Sequence, residues 1–381
     1  MAKTGLLRSY LRLHLADGVG AATFRKLLEA FGNVETVANA SEGRLRQVYG
    51  VGEKTAAAIR AVGDEQIDAE LSAADGCGAT ILCLEDADYP PALKNIHDPP
   101  PVLYVRGRLL KSDAVAMGVV GSRRCTHYGL EQAERFAQLL ARAGFVVVSG
   151  GARGIDTAAH GGALKAGGRT IAVMGCGLCH PYPQENAELY DRIVAQERGA
   201  IVSELPMRTA VLAGNFPTRN RIISGLSLGV LVVEAPRRSG SLITARQADE
   251  QGRAVFAVPG RVDSPLSQGA NELIRNGVAL VQNLDDILEH LGAVGAMLAT
   301  EEESAAPPQP ALADPIERKL WESLAEGPMS LDELVRASGV SSGKAASAMT
   351  MLVLKGAVAQ RPGNVFARKT AASKDKPMLF S

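Results

Sequence analysis

Residues 149–160, Ser149-Gly-Gly-Ala-Arg-Gly-Ile-Asp-Thr-Ala-Ala-His160, determine how the rest of the chain is interpreted. They follow the apolar run Phe145-Val-Val-Val148, which is typical of a buried parallel strand, and lead into a helix predicted to begin near Asp156. Glycines in such a turn permit positive φ and close backbone approach, and the first amides of the helix favour an anion. The stretch therefore predicts a phosphate-binding turn. An ordinary α/β turn, in which glycine only satisfies the bend, is the alternative.

Strand and helix patterns alternate on both sides of this turn, over residues 114–290. Predicted strands lie at residues 114–120, 145–148, 170–174, 200–203, 229–234 and 254–258. Each crossover must pack a helix against one face of the sheet, so this alternation predicts an α/β fold with a doubly wound, mostly parallel sheet. Ligands of such sheets bind at the carboxyl ends of the strands, where the glycine-rich and arginine-bearing phrases of this chain lie.

The flanking regions predict smaller domains. Residues 1–75 are predicted to be helical, and two phrases, Gly18-Val-Gly20 and Gly50-Val-Gly52, each open a helix. The pair resembles a duplicated helix-hairpin-helix module, whose hairpin amides contact a DNA phosphate; a helical domain for protein contacts is the alternative. Residues 76–112 predict strands that extend the edge of the sheet, so that the central domain spans 76–295.

The C-terminal part divides into three predicted segments. Residues 296–313 form an acidic, proline-rich linker without apolar periodicity. Residues 314–368 predict three helices and a two-stranded wing, which is the pattern of a winged helix-turn-helix, and residues 369–381 predict a flexible tail. The last helix offers Lys344 as its charged reader, so the unit is predicted to contact protein or to bind DNA weakly.

Overall composition is that of a globular protein with no net charge, 41 Lys and Arg against 41 Asp and Glu. The charge is unevenly placed: residues 120–170 hold seven basic and three acidic side chains, 205–275 hold nine and five, and 285–333 hold two and twelve. A polyanion would therefore meet a locally basic core. No apolar run approaches the length of a membrane span, no secretory signal is evident, and five scattered cysteines indicate reduced thiols, which together predict a cytoplasmic protein.

Three further phrases add candidate binding residues. Gly121-Ser-Arg123 follows the first parallel strand and places a hydroxyl and a guanidinium beside the glycine turn. In the phrase from Phe216 to Arg221, an aromatic ring precedes two closely spaced arginines, which suits stacked bases and tracked phosphates of a single strand; a core phenylalanine with solvated arginines is the alternative. The phrase Ser239-Gly-Ser-Leu-Ile-Thr244 predicts a second anion-ready turn.

Other chemistry receives less support. Cys176-Gly-Leu-Cys-His180 matches the pattern of covalent haem attachment, but that chemistry requires export and the chain shows no export signal. A thioredoxin-like redox role for the same C-x-x-C phrase is a second, less favoured alternative. Asp156 and His160 could pair or hold a metal, although a helix-capping role for Asp156 is favoured. Glu204 and Glu234 end strands and are the candidate general bases if the protein is an enzyme. The sequence predicts no cofactor and no metal.

Taken together, the ordered motifs resemble those of the DprA, or Smf, family of DNA-processing proteins. The resemblance covers residues 80–290 and rests on Gly121-Ser-Arg, Ser149 to Asp156, Gly175-Cys-Gly-Leu178 with Tyr182-Pro183, Phe216 to Ile223, and Ser239 to Thr244. It implies an extended Rossmann fold, a homodimer and sequence-independent binding of single-stranded DNA. It further implies a non-enzymatic mediator of natural transformation that protects incoming strands and loads the RecA recombinase onto them, including strands coated by single-strand-binding protein.

The resemblance also implies which residues contact DNA. Carried over by position, they are Gly121, Ser122, Arg123, Ser149, Gly150, Gly151, Arg153, Gly154, Phe216, Arg219, Asn220, Arg221, Ser239, Gly240, Ser241 and Thr244. The main alternative is a nucleotide-binding enzyme of the lysine-decarboxylase-like group, which hydrolyses nucleoside monophosphates; the Pro-Gly-Gly-x-Gly-Thr phrase of that group is absent here. A protein-interaction scaffold is a third class, but it does not account for the clustered glycine turns.

Overall fold

The structure is a computed structural model that describes residues 2–292, 314–354, 357–361 and 365–368. The chain divides into two compact units, residues 1–299 and residues 300–381. The predicted linker, 296–313, and the predicted tail, 369–381, lie outside the described residues.

The larger unit begins with short helices separated by glycine turns. Gly18 and Gly50 adopt φ of 82° and 89°, and Gly20 and Gly52 are the N-caps of the second and fifth helices, as the repeated Gly-Val-Gly phrases predict. The helices of this segment are α1 (Ala2–His14), α2 (Ala21–Phe31), α3 (Val34–Ala38), α4 (Glu42–Leu45), α5 (Glu53–Ala61) and α6 (Asp64–Gly76).

A nine-stranded sheet forms the centre of the described part of this unit. Its strands are β1 (Ala79–Cys83), β2 (Val102–Gly107), β3 (Ala116–Val120), β4 (Val146–Ser149), β5 (Thr170–Val173), β6 (Gly199–Ser203), β7 (Gly229–Val232), β8 (Ala254–Ala257) and β9 (Ala279–Leu280). Their spatial order is β1-β2-β6-β5-β4-β3-β7-β8-β9. Strands β3 to β9 pair in parallel, whereas β2 runs antiparallel to both β1 and β6. The mostly parallel sheet and its two-strand edge extension are both as predicted.

Helices cover both faces of the sheet because its parallel strands are almost entirely apolar and buried. On one face Phe136 of α8 and Ile155 of α9 join a buried cluster with Val119, and on the other Ile222 of α11 packs with Val230. The helices after β1 are α7 (Pro91–Lys94), α8 (His127–Arg142), α9 (Ile155–Lys165), α10 (Ala187–Ala195), α11 (Asn215–Gly225), α12 (Gly240–Glu250), α13 (Gln268–Arg275) and α14 (Leu284–Leu291).

The strand order reverses between β3 and β7. From β3 the chain adds β4, β5 and β6 toward one edge, and then returns to place β7, β8 and β9 on the other side of β3. The loops that leave β3 and β7 lead to α8 and α12, which join clusters on opposite faces of the sheet. Such a reversal opens a crevice at the carboxyl ends of the two strands, which is the usual ligand site of doubly wound sheets.

The smaller unit is a winged helix domain. Its helices are α15 (Pro315–Ser323), α16 (Leu331–Ser338) and α17 (Ser342–Leu354), and its strands β10 (Met329–Ser330), β11 (Val358–Arg361) and β12 (Val365–Arg368) pair antiparallel in the order β10-β12-β11. Leu320, Leu334, Met349 and Phe366 lie in its core. The Ser330 hydroxyl accepts from the Glu333 amide, so α16 begins with a capping box.

Candidate functional site

A pocket of about 680 Å³ lies at the reversal point of the sheet. Ten of the predicted binding residues line it: Gly121, Ser122, Arg123, Phe216, Arg219, Asn220, Ser239, Gly240, Ser241 and Thr244. They come from the loop after β3, the first half of α11 and the beginning of α12. Folding therefore brings together three phrases that are widely separated in the sequence.

The glycine turn after β4 was predicted to hold a phosphate, but two of its amides are hydrogen-bonded within the protein. Gly151 and Gly154 adopt φ of 68° and 77°, but the Ala152 amide donates to the Asp156 carboxylate (3.2 Å) and the Ile155 amide donates to the Ser122 carbonyl (3.3 Å). These amides of the turn are thus already paired within the protein. The Ser149 hydroxyl likewise donates to the Val119 carbonyl at 2.7 Å.

Close approach explains why glycine is needed in this turn. A Cβ on Gly154 would lie 2.5 Å from the Ser122 carbonyl oxygen, and a Cβ on Gly150 would lie 2.6 Å from an Arg219 nitrogen and 2.7 Å from an Asp156 oxygen. The turn therefore lets the loop after β3 and the arginine of α11 reach the crevice. The structure places Ser149, Gly150, Gly151 and Gly154 behind the pocket instead of in its lining.

Arg123 is an exposed cation of the pocket, as is Arg124 beside it. The loop that carries it is held by the Ser122 amide, which donates to the Glu234 carbonyl at 2.7 Å, and by the Arg124 amide, which donates to the Ser122 hydroxyl at 3.1 Å. The Arg123 guanidinium carbon lies 4.7 Å from the centre of the Phe216 ring. Within the described residues no carboxylate lies within 4.0 Å of Arg123, so its hydrogen-bond donors remain available to an anion.

Phe216 lies near two guanidinium groups at the beginning of α11. Besides Arg123, the guanidinium of Arg219 lies 5.8 Å from the ring centre, and the Tyr182 ring is tilted toward the same ring at 5.9 Å. A Cβ on Gly175 would lie 2.9 Å from the Phe216 ring, so the glycine after β5 makes room for it. The ring is half-buried and lines the pocket, which leaves part of it accessible to a ligand.

Arg219, in contrast, is a buried cation. Its side chain is 3% exposed, and Nη1 donates to the Gly150 carbonyl at 2.6 Å and also to the Val173 carbonyl. Burial lowers its pKa to about 10 despite the nearby carboxylate of Asp156. Arg219 therefore joins α11 to the turn after β4 and to β5, and it contributes positive potential to the pocket that it lines.

Asp156 is the acidic side chain of the pocket lining among the described residues. Burial raises its pKa to about 6, and the charge of Arg219 and the Ala152 amide partly offset that rise. Asp156 does not cap α9 as predicted: the N-cap is Gly154, which has no side-chain cap hydrogen bond, and the Asp156 carboxylate instead accepts from the Ala152 amide of the preceding turn. It does not pair with His160, whose Nδ1 lies 2.7 Å from the Thr170 hydroxyl and whose pKa burial lowers to about 3.

Arg221 lies outside the pocket, contrary to the expectation that it lines the path of a strand. It forms a two-pronged ion pair with Glu204 at 2.6 and 2.7 Å, and its Nε donates to the Asp98 carboxylate at 2.9 Å. Residues two positions apart on a helix point about 200° apart, so Arg219 and Arg221 cannot share one face of α11. The sequence phrase was expected to track phosphates with both arginines, and the helix divides them between two roles.

The beginning of α12 forms the opposite wall of the pocket. Ser239 is the N-cap, and its hydroxyl accepts from the Ser241 amide at 3.3 Å and lies 2.6 Å from the Ser241 hydroxyl. Gly240 and Ser241 are the first helical residues, so the positive end of the helix dipole lies at the pocket. The phrase from Ser239 to Thr244 therefore forms a helix N-terminus at the pocket, and its predicted binding of an anion stays a prediction.

A second pocket of about 520 Å³ adjoins the first, since Tyr182 and Val211 line both. Arg153, the remaining predicted residue, lies there, exposed and ion-paired with Glu185 at 2.6 and 2.8 Å. The two pockets therefore share part of their walls.

Several residues that line the first pocket were not among the predicted binding residues. They are Arg124, Ala152, Asp156, Tyr182, Val211, Ala213, Pro217, Ile223, Pro236 and Leu266, besides Val120 at the end of β3. Arg124 follows Arg123 directly and Tyr182 belongs to a motif of the resemblance, so both carried a signal. Val211, Ala213 and Leu266 lie in loops whose apolar side chains show no pattern that would reveal them.

The candidate catalytic bases do not face this pocket. Glu234 accepts from the Thr126 amide at 2.7 Å and from its hydroxyl at 2.9 Å, which anchors the beginning of α8, and Glu204 is ion-paired with Arg221. The described residues contain no group of three His, Cys, Asp or Glu side chains that could hold a metal ion. In that same part of the chain, no helix has the length and apolarity needed to cross a membrane.

Comparison with known proteins agrees with this architecture. The family model of DNA recombination-mediator protein A matches residues 80–292, the DprA winged helix domain matches residues 303–364, and a SAM-like helix-hairpin-helix tandem matches residues 12–61. The matches follow the same order as the helical segment, the sheet and the winged helix of the structure.

Individual relatives cover most of the chain. Protein Smf of Synechocystis sp. is 33% identical in an alignment that covers 92% of this chain and 96% of that protein. DNA processing protein DprA of Bacillus subtilis is 44% identical over 56% of this chain and 72% of its own length. The crystal structure of DprA from Streptococcus pneumoniae has a TM-score of 0.64 and 36% identity, and covers 75% of this chain and 96% of that one. The chain belongs to the DprA, or Smf, family.

Proposed function

We propose that the pocket binds single-stranded DNA independently of sequence, and that the protein is a recombination mediator in natural transformation. In this role it protects incoming strands and loads the RecA recombinase onto them, including strands coated by single-strand-binding protein. Family membership supports the role, and the chemistry of the pocket supports the ligand.

One observation carries the choice of ligand: the half-buried Phe216 ring lies 4.7 Å and 5.8 Å from the guanidinium groups of Arg123 and Arg219, in a pocket that also contains a helix N-terminus. An aromatic face stacks any base, and arginine side chains and helix amides hold phosphates. Each such stacked base contributes about 1–3 kcal/mol in proteins of this kind. The arrangement therefore suits alternating bases and phosphates.

The same features favour a single strand over a duplex. The Phe216 ring lies in a concave pocket, so a base must leave its stack and its partner to reach it. The pocket lining includes arginine guanidinium groups and the hydroxyls of Ser122, Ser239 and Ser241, which suit phosphate contacts, and such contacts carry no sequence information.

A binding role without catalysis also agrees with the carboxylates. Glu204 and Glu234 are both engaged in structural contacts, which leaves neither of them to activate water for a nucleotide hydrolase. Resemblance to the family supports the further proposals that the protein acts in the cytoplasm as a homodimer.

Equilibrium binding tests the proposed ligand. Labelled oligothymidylate and a duplex of equal length are titrated with protein between about 50 and 200 mM salt. We expect a clear preference for the single strand and a steep loss of affinity with salt. Arg123→Ala should reduce the slope of log affinity against log salt by about 0.7, the value for one phosphate contact to a single strand.

Arg142→Ala is the matched control because it removes an exposed arginine at the end of α8, outside both pockets. It should leave the slope unchanged. Equal binding of strand and duplex, or equal losses in the two variants, would contradict the proposal. The loading role is tested separately. RecA filament formation is measured, through RecA's ATP hydrolysis, on strands coated beforehand with single-strand-binding protein.

A further inference from the structure

Two cysteines from distant parts of the sequence meet beside the second pocket. Cys77 directly follows α6, and Cys179 lies in the loop after β5; their sulfur atoms are 3.0 Å apart and share a hydrogen bond. The Cys176 thiol, although it belongs to the same C-x-x-C phrase as Cys179, donates to the His180 carbonyl at 3.0 Å. The sulfur–sulfur contact therefore joins two segments that are distant in the sequence.

Both sulfurs are placed for chemistry. A disulfide needs an S–S distance of about 2.05 Å, so the two atoms must approach by roughly 1 Å. Cys77 and Cys179 are both partly exposed, and Cys179 lines the second pocket, through which a small molecule can reach it. Neither thiol is enclosed in the apolar core, in contrast to Cys83 and Cys176.

We propose that Cys77 and Cys179 form a reversible disulfide that fastens α6 to the wall of the second pocket. A small-molecule disulfide such as oxidised glutathione is the oxidant. One cysteine thiolate attacks it, forming a mixed disulfide and releasing one glutathione thiolate; the second cysteine thiolate then attacks the protein sulfur of that bond and releases the other. The protein loses two electrons and two protons, and one oxidised glutathione becomes two reduced ones.

The bond would join α6 to a loop with which it is already connected through hydrogen bonds to Met207. Glu70 of α6 accepts from the Met207 amide at 2.7 Å, and the Met207 carbonyl accepts from the Cys179 amide at 3.0 Å. Met207 precedes Val211, which lines both pockets, along the same connection between β6 and α11. A covalent link between Cys77 and Cys179 would therefore close a ring of contacts behind the rim of the site.

Burial and the neighbouring Cys77 sulfur raise the pKa of Cys179 to about 11, so thiolate is scarce at neutral pH. The reaction is therefore run at about pH 8.5, where thiolate is more abundant. Reduced full-length protein is incubated with oxidised glutathione, blocked with N-ethylmaleimide and digested with trypsin. The expected product links peptide 61–94 to peptide 170–192.

Each of these peptides contains a second cysteine, Cys83 or Cys176, so variants assign the bond. Cys77→Ser and Cys179→Ser should each abolish the linked product, whereas Cys125→Ser, which removes a thiol outside both peptides, should retain it. A product that persists in both serine variants, or capture of glutathione without any linked peptide, overturns the proposal. No DNA is present, so the outcome does not depend on the proposed function.

Thermal unfolding provides a second test. A disulfide across 102 residues restricts the unfolded chain, so oxidised wild-type protein should unfold at a temperature higher by roughly 5 °C, and reduction should reverse the rise. Cys179→Ser treated in the same way should show no such rise. If the linked peptide forms but the unfolding midpoint of the oxidised wild-type protein does not change, the bond strains the folded state. That result would contradict the proposal that the folded protein accommodates this disulfide.

Discussion

Replacing Arg219 and Arg123 separately by alanine distinguishes the buried arginine of the pocket from the exposed one. Arg219 is 3% exposed and donates to the carbonyls of Gly150 and Val173, whereas Arg123 is exposed and contacts the Phe216 ring. Both guanidinium groups lie within 6 Å of the centre of the same ring, at 4.7 and 5.8 Å. Their removal should nevertheless affect different properties of the protein.

The magnitudes follow from burial. Arg219→Ala leaves two carbonyl acceptors without this donor and leaves Asp156 buried without the opposing charge, which costs about 3–5 kcal/mol of unfolding free energy. Arg123→Ala removes one exposed cation–π contact, worth about 0.5–1 kcal/mol. The first change should therefore lower the unfolding temperature of the larger unit by on the order of 10 °C, and the second by a few degrees.

Differential scanning calorimetry of the full chain measures both effects, because it separates the transitions of the two units. Fluorescence would not serve, since the single tryptophan, Trp321, lies in the winged helix unit. Arg219→Ala and Arg123→Ala that unfold within about 2 °C of each other would refute the assignment of Arg219 as a structural cation.

Four further changes test the remaining assignments. Phe216→Leu keeps an apolar side chain but removes the stacking face, so the binding free energy for oligothymidylate, measured by fluorescence anisotropy, should weaken by about 1–3 kcal/mol. The control Phe136→Leu, in the buried cluster with Val119 and Ile155, should change this affinity little. Because burial raises the pKa of Asp156 to about 6 and a bound phosphate would raise it further, binding should take up a proton. Affinity should then increase as the pH falls from about 8 to 6, and a pH titration of Asp156→Asn should show a flatter dependence. Arg221→Ala should lower the calorimetric midpoint because it leaves Glu204 and Asp98 without their partner, yet preserve the salt slope of strand binding. Gly154→Ala should destabilise the larger unit by about 1–3 kcal/mol in calorimetry, since its φ is 77° and its Cβ would lie 2.5 Å from the Ser122 carbonyl; an unchanged midpoint would contradict the close approach.

Much of the fold could be predicted because the strands are short apolar runs bounded by glycine turns. The predicted run at 145–148 is observed as Val146–Ser149, and the predicted strand 170–174 as Thr170–Val173. Such runs indicate buried parallel strands directly, because a strand that is buried on both faces is apolar at nearly every position. The edge extension by β1 and β2 followed from the apolar run at 79–84 and from the prolines at 99–101, which disfavour helix just before β2; the short helix α7 between the two strands was not predicted.

The phrase from Phe216 to Arg221 shows where sequence reasoning stops. It forms the first half of α11, an 11-residue helix, and the helix turns its two arginines in different directions. Arg219 meets carbonyls of β4 and β5, and Arg221 meets Asp98 and Glu204, which are distant in sequence. Local spacing indicates a cluster of positive charge but does not identify such long-range partners, so it could not distinguish a buried cation from a phosphate ligand.

The glycine turn presents the same difficulty. Its glycines were expected to bring a phosphate close to the backbone, and they instead bring the Ser122 carbonyl and the Arg219 side chain close. Glycine in a turn indicates close approach of some group, but its identity depends on the loops that the sheet places alongside.

The most direct test of the account is to locate the bound strand. Oligothymidylate is irradiated with ultraviolet light in complex with the full-length protein, and the adducts are mapped by mass spectrometry of tryptic peptides. Binding in the pocket predicts adducts on peptide 209–219 at Phe216, which disappear in Phe216→Ala and persist in Arg142→Ala. Adducts confined to the helices before residue 76 or to the winged helix domain would contradict a strand site at the reversal point of the sheet.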